Sequence, residues 1–140
     1  MMRAMLRVSI ALLFACSSAG PRPLEDVRGE GCASCRMIVS DRRMAAQLVT
    51  PGEEAMVFDD IGCLRDWLQA HPAARGAVAF VADHRTGAWL PADRALFVRS
   101  TRIRTPMGSQ LLAFADAASR DADPAAAGGA AVAAEEVVHR

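Results

Sequence analysis

The middle of the chain alternates short apolar segments with polar turns, and it does so twice. Residues 39–48 and 81–90 place Val, Asp, Arg, Ala and Leu at matching positions. A short apolar segment follows each of them, at residues 55–58 and 95–98. Short apolar runs bounded by turn residues such as Pro51-Gly52 are typical of β-strands. The pattern therefore predicts two related pairs of strands.

A helix is expected after each pair of strands. Cys63, Leu64, Trp67 and Leu68 recur with the spacing of one helical face. In the second repeat the corresponding segment is residues 107–114, which follows a turn containing glycine. The sequence thus predicts an α+β fold built from two ββα-type units. The folded domain is expected over residues 31–120, with halves at about 31–75 and 76–120.

The N-terminus has the pattern of an export signal. Residues 1–15 place two arginines before an apolar run that is too short to span a bilayer. The residues that end in Cys16 resemble a bacterial lipobox, in which the cysteine becomes the lipidated first residue of the mature chain. We therefore predict a lipoprotein signal peptide, a polar tether over residues 16–30, and a lipid-anchored protein at the periplasmic face of the cell envelope. The alternative is an ordinary signal peptide that is cut near Ala19.

The C-terminus and the overall charge add two expectations. Residues 121–140 are rich in Ala and Gly and show no apolar periodicity, which predicts a disordered tail that includes His139. The formal net charge of the 140 residues is zero. The charge therefore gives no electrostatic argument for nucleic acid as a partner.

Sulfur donors are concentrated at the start of the expected domain. Cys32, Cys35 and Met37 lie within six residues, and soft thiolate and thioether ligands select Cu(I) over hard cations. Cys35 and Met37 are two residues apart, so on an extended segment their side chains point the same way. Met107 occupies the place in the second unit that Ile61 has in the first. We therefore predict Cys35, Met37, Met107 and Cys32 as ligands of one ion held between the two units.

Other sulfur and acidic residues leave alternatives open. Cys63 is expected at the start of the first helix, where a thiolate is favoured, yet its apolar neighbours are equally typical of a buried structural thiol. Asp59 and Asp60 precede the same helix and are expected to cap it. We assign Met44 and Met56 to packing.

Five motifs follow one another along the chain, at residues 35–41, 45–47, 58–63, 83–87 and 105–108. In this order they resemble the motifs of the NosL family. That family consists of nitrous oxide reductase accessory proteins, which are exported copper-binding lipoproteins. The resemblance implies a fold that partly resembles the organomercurial lyase fold. It also implies a metallochaperone that delivers Cu(I), with nitrous oxide reductase or its membrane ABC-type assembly complex as partner.

The chain departs from the family pattern at two positions. Arg36 stands where the family commonly has glycine, between the two sulfur donors. Its cation is expected to lower the pKa of Cys35, and its Cβ is expected to restrict a turn that glycine allows. His84 replaces a residue that is often aromatic. Its ring nitrogen could bind copper, so His84 and Cys63 are the two secondary ligand candidates. A histidine beside a turn is, however, more often a surface residue.

Other classes of function compete with copper delivery. Cys32 and Cys35 could act as a thiol redox pair, although the helix that usually follows such a motif is not expected here. A structural zinc domain would use four N or S ligands. An organomercurial-lyase-like enzyme would rest on analogy of fold alone. The sequence shows no catalytic triad or phosphate-binding loop, so we predict that the protein is not an enzyme.

Overall fold

The computed structural model describes residues 20–52 and 54–138. The predicted signal peptide, Cys16 and His139 lie outside these ranges. None of the helices in the described part of the chain combines the length and hydrophobicity that a membrane-spanning helix requires. The strands are β1 (Ala46–Val49), β2 (Ala55–Phe58), β3 (Val78–Ala82), β4 (Trp89–Pro91), β5 (Leu96–Arg99), β6 (Leu111–Phe114) and β7 (Ala130–Val132), and the helices are α1 (Ile61–Ala70), α2 (Ala117–Asp121) and α3 (Ala134–Val137).

The strands form two antiparallel sheets, which confirms a mixed fold of helices and sheets. The first sheet has the order β2-β1-β3-β4 and the second has the order β6-β5-β7. Strands β3 and β4 belong by sequence to the second predicted unit, yet β3 pairs with β1 in the first sheet. The expected boundary near residue 75 therefore does not separate the two sheets.

The first predicted helix is confirmed, and the second is wrong. Helix α1 begins at its cap Asp60, whose side chain accepts a hydrogen bond from the Gly62 N–H. The segment predicted as the second helix instead contains a turn and strand β6. Gly108 and Gln110 both have positive φ values, 74° and 60°, which an α-helix does not accommodate. All four residues of β6 are buried, and a short, wholly apolar run has no period that separates a strand from a helix.

The C-terminal residues are ordered, so the prediction of a disordered tail is wrong for the described residues 121–138. Strand β7 pairs with β5, with Val132 opposite Phe97. Helix α3 places Val137 in the main core with no exposed surface. Backbone hydrogen bonds to a strand edge need no apolar periodicity, which is why an alanine-rich segment can be ordered here without a recognisable pattern.

The described part of the predicted tether also packs on the domain. The Leu24 N–H donates to Oε1 of the buried Gln47 at 2.8 Å. Val27 is fully buried in a small cluster with Trp89 against it. The domain therefore begins before the expected boundary at residue 31.

The main core lies where α1 meets both sheets. Phe58 of β2 and Leu64 of α1 join Phe97 of β5 and Leu111 of β6 in one apolar cluster. Burial of four large side chains of this kind contributes roughly 1.5–3 kcal/mol each. The cluster fixes the start of α1 against the second sheet, and the candidate site is built at that junction.

Candidate metal centre

A tight loop before β1 contains two of the thiols. Gly31 and Ile38 form an isolated antiparallel bridge, and the Cys32 N–H donates to the Met37 carbonyl at 2.8 Å. The chain reverses at Arg36, whose φ of 67° lies in the left-handed region. A residue with a Cβ adopts this conformation at a cost of about 1–2 kcal/mol. The left-handed turn therefore forms with arginine at the position where the family commonly has glycine.

The junction of β2 and α1 supplies the other polar groups. Asp60 caps the helix by accepting the Gly62 N–H at 2.7 Å, so the expected capping role is confirmed for this acid. Asp59 has another role, because its Oδ1 accepts a hydrogen bond from the Cys35 thiol at 3.2 Å. Cys63 lies in the first turn of α1, where the helix dipole favours negative charge.

These two segments bring four donor atoms together. The Sγ atoms of Cys32, Cys35 and Cys63 and a carboxylate oxygen of Asp59 all lie within 4.8 Å of one another. All three cysteines are free. Tetrahedral donors bound at about 2.3 Å from an ion lie roughly 3.8 Å apart. A small contraction would therefore let these four residues, which we call the thiol cluster, share one soft metal ion.

The environment of Cys35 and Cys63 favours their protonated forms. Burial raises the pKa of Cys63 far above its usual range, and the neighbouring thiols and the Asp59 carboxylate raise it further. Burial is also the main cause that raises the pKa of Cys35, and its contacts with Cys32 and Asp59 act in the same direction. The expectation that Arg36 would lower the pKa of Cys35 is therefore wrong. A metal ion that binds here must displace protons.

The two predicted thioethers lie outside the buried part of the site. Met37 is 59% exposed and Met107 is 53% exposed. Met107 lines a cleft of about 370 Å³ together with Cys35 and Cys63. Met37 lines a neighbouring cleft of about 750 Å³, to which Asp59 contributes. We call Met37 and Met107 the thioether rim.

His84 lies elsewhere in the fold. Its Nδ1 is 2.7 Å from Oδ2 of Asp123, and its ring meets Phe114 edge-on. His84 is not part of the group of donors around the three cysteines. The structure thus brings the predicted ligands Cys32, Cys35 and Cys63 together and places His84 in a separate buried pair.

Asp59 is one of the four candidate donors, and the sequence did not predict it as one. One acid is enough to cap a helix, and Asp60 fills that position. Two successive acids before a helix that begins with a cysteine therefore leave one carboxylate for another role. The second acid was therefore the one sign in the sequence that Asp59 has a role other than capping.

The fold and the thiol cluster define a small mixed helix-and-sheet protein with a candidate site for one soft metal ion. The NosL family model matches residues 23–140. The chain therefore belongs to the NosL family, as the motifs predicted. The match begins beside Leu24, where packing against the first sheet begins, and includes the ordered C-terminal residues.

A solved structure supports the same fold. The crystal structure of the copper chaperone NosL from Shewanella denitrificans matches with a TM-score of 0.66 and 17% sequence identity, over 85% of this chain and 98% of that chain. At this identity the likeness establishes the fold alone. No curated protein sequence matches the chain. The expected resemblance to the organomercurial lyase fold stays a prediction.

Proposed function

We propose that this protein is an exported copper chaperone that binds Cu(I) as cargo and delivers it for the maturation of nitrous oxide reductase. The observation that best supports the proposal is the convergence of three free cysteines and Asp59 within 4.8 Å. Thiolates and thioethers are the ligand types that favour Cu(I). Membership of the NosL family and the fold shared with a protein described as a copper chaperone add support.

Cys35 is the central ligand in this proposal. Its thiol contacts Asp59 and its N–H contacts the Cys32 sulfur, so it belongs to the buried cluster. It also lines the open cleft with Met107. An ion on Cys35 is therefore held by thiolates on its inner side and reached from solvent on the side of the thioethers.

Delivery requires a partner that approaches the exposed side of the site. Met37 and Met107 flank it there, and Ile38 beside Met37 is 60% exposed. Acidic and basic side chains line the two clefts in equal number, three of each, so charge alone does not select the partner. We propose nitrous oxide reductase or its membrane ABC-type assembly complex as that partner.

The proposed anchor is a lipid on Cys16, which would keep the chaperone at the periplasmic face of a membrane. The Cys16→Ala variant is expected to leave the membrane fraction or to accumulate as an uncleaved precursor. A cleaved Cys16→Ala protein that stays in the membrane fraction as the wild type does, shown by fractionation and mass spectrometry, would rule out lipidation at Cys16.

Structural zinc binding is the second candidate, because three sulfurs and one oxygen at these separations also suit tetrahedral Zn(II). Anaerobic titration of the purified full chain with both metals separates the two functions. We expect one Cu(I) per chain, held against a competing chelator, and Zn(II) displaced by Cu(I). Stoichiometric Zn(II) that Cu(I) cannot displace would establish zinc binding instead. Failure to bind either metal would favour the redox pair Cys32 and Cys35.

A further inference from the structure

We propose that Asp60 is a positioning residue that holds the Met107 loop against the start of α1, so that the thioether reaches the copper ion. The inference rests on the proposed function, with Met107 as a copper donor. Asp60 has no exposed surface. Its Oδ2 accepts the Met107 N–H at 2.8 Å, while its Oδ1 accepts the Gly62 N–H at 2.7 Å and the Ser109 hydroxyl.

These contacts go beyond the capping of a helix. A cap needs only the N–H groups of the first helical turn, whereas two of the donors to Asp60 lie 47 and 49 residues further along the chain. A buried carboxylate is costly unless hydrogen bonds replace the lost water. The helix start and the distant loop therefore donate to the same buried carboxyl group, and a shift of either one would cost Asp60 at least one hydrogen bond.

The loop has hydrogen bonds of its own and lies close to the helix. The Gly108 N–H donates to the Thr105 carbonyl at 3.0 Å, and the Gln110 N–H donates to the Thr105 hydroxyl at 3.1 Å. A Cβ built on Gly62 would lie 2.5 Å from the Ser109 Cβ, so the loop already touches the helix. The backbone of Met107 is thus held against the start of the helix, and Met107 lines the cleft that Cys35 also lines.

The Asp60→Asn variant tests this role. Its amide oxygen can still accept the Gly62 N–H, but its NH₂ group would then face the Met107 N–H, donor against donor. We expect Cu(I) affinity to fall about tenfold, in the range typical of residues that orient metal ligands. The affinity should match that of Met107→Ile, and copper X-ray absorption should show one sulfur neighbour fewer.

The double variant distinguishes positioning from a direct effect of the charge. If Asp60 acts through Met107, Asp60→Asn costs no further affinity in the Met107→Ile protein. Independent, multiplying losses would overturn the proposal, as would an unchanged sulfur count in Asp60→Asn. A wild type that binds no Cu(I) would instead refute the proposed function.

Two further variants separate the role from folding. Asp116→Asn makes the same change at the cap of α2, where the carboxylate accepts the Ser119 N–H at 2.7 Å, and should leave copper affinity unchanged. Ser109→Ala removes a second loop contact and keeps the charge of Asp60, and should weaken binding by a smaller factor. If Asp60→Asn does not fold, the cycle of Ser109→Ala with Met107→Ile decides, and independent losses there would overturn the proposal.

Discussion

The thiol cluster and the thioether rim meet at one site, but they differ in burial and in proton chemistry. Cys32 is 1% exposed and Cys63 is 5% exposed, whereas Met37 and Met107 are more than half exposed. A thiol with a raised pKa must lose a proton before it binds a metal, and a thioether has no proton to lose. Under the proposed function, the buried side would retain the ion and the exposed side would permit its exchange.

Removal of a thiol should have the largest effect. Cys35→Ser deletes the least buried of the three thiols, which belongs to the cluster and also lines the open cleft. We expect Cu(I) affinity to fall by more than about 100-fold, since even residues that only orient metal ligands typically contribute about 10–100-fold. Anaerobic competition with a Cu(I) chelator measures the loss. Affinity close to that of the wild type would show that the ion binds elsewhere.

Loss of a thioether should have a smaller effect. Met37→Ile and Met107→Ile preserve apolar volume, so the fold should lose less than about 1.5 kcal/mol. Each should lower Cu(I) affinity about tenfold by deleting one soft donor, and the rate of transfer to a chelator should change with it.

Met56→Ile is the matched control for the thioether variants. Met56 is partly buried against the main core, while Met44, also assigned to packing, lines the same cleft as Met37. Unchanged affinity in both rim variants would mean that the thiol cluster binds copper without thioethers.

A pH effect on stability should be the smallest. Burial raises the pKa of Cys63 in the folded state. Below the unfolded-state pKa of about 8.5 the thiol is neutral in both states, and its full contribution to the free energy of unfolding is present. It is lost as the pH rises toward the folded-state value, because the unfolded chain ionises first. Between pH 7 and 9.5, the metal-free wild type should lose about 1 kcal/mol more than Cys63→Ser. Urea unfolding under reducing conditions measures the free energy of unfolding of the two proteins. Equal losses in wild type and variant would contradict the burial of Cys63.

The sequence predicted the parts of the fold that have a clear period. Helix α1 was recognisable from the spacing of Leu64 and Trp67, and one acid of the preceding pair does cap it. Strand β6 is wholly apolar and β7 is largely alanine, so neither has an alternation that separates strand from helix or coil. Their structure depends on pairing with β5, which is a contact between segments distant in sequence.

The grouping of the candidate donors was predictable where the residues are close in sequence. Cys32 and Cys35 form a motif within one loop, and the structure brings them together. The role of Cys63 stayed open and that of Asp59 was missed, because both depend on how the loop packs on the start of α1. Burial raises the pKa of Cys35. The adjacent Arg36 suggested a lower pKa, because burial cannot be read from neighbouring residues in the sequence.

The most direct test of the account is whether Cys63 binds the copper ion. Copper X-ray absorption of the Cu(I)-loaded wild type should show a shell made mainly of sulfur, with at least three sulfur neighbours. Cys63→Ser, loaded in the same way, should show one sulfur neighbour fewer. A shell dominated by nitrogen or oxygen in the wild type, or an unchanged sulfur count in Cys63→Ser, would contradict the claim that the buried thiol cluster holds the ion.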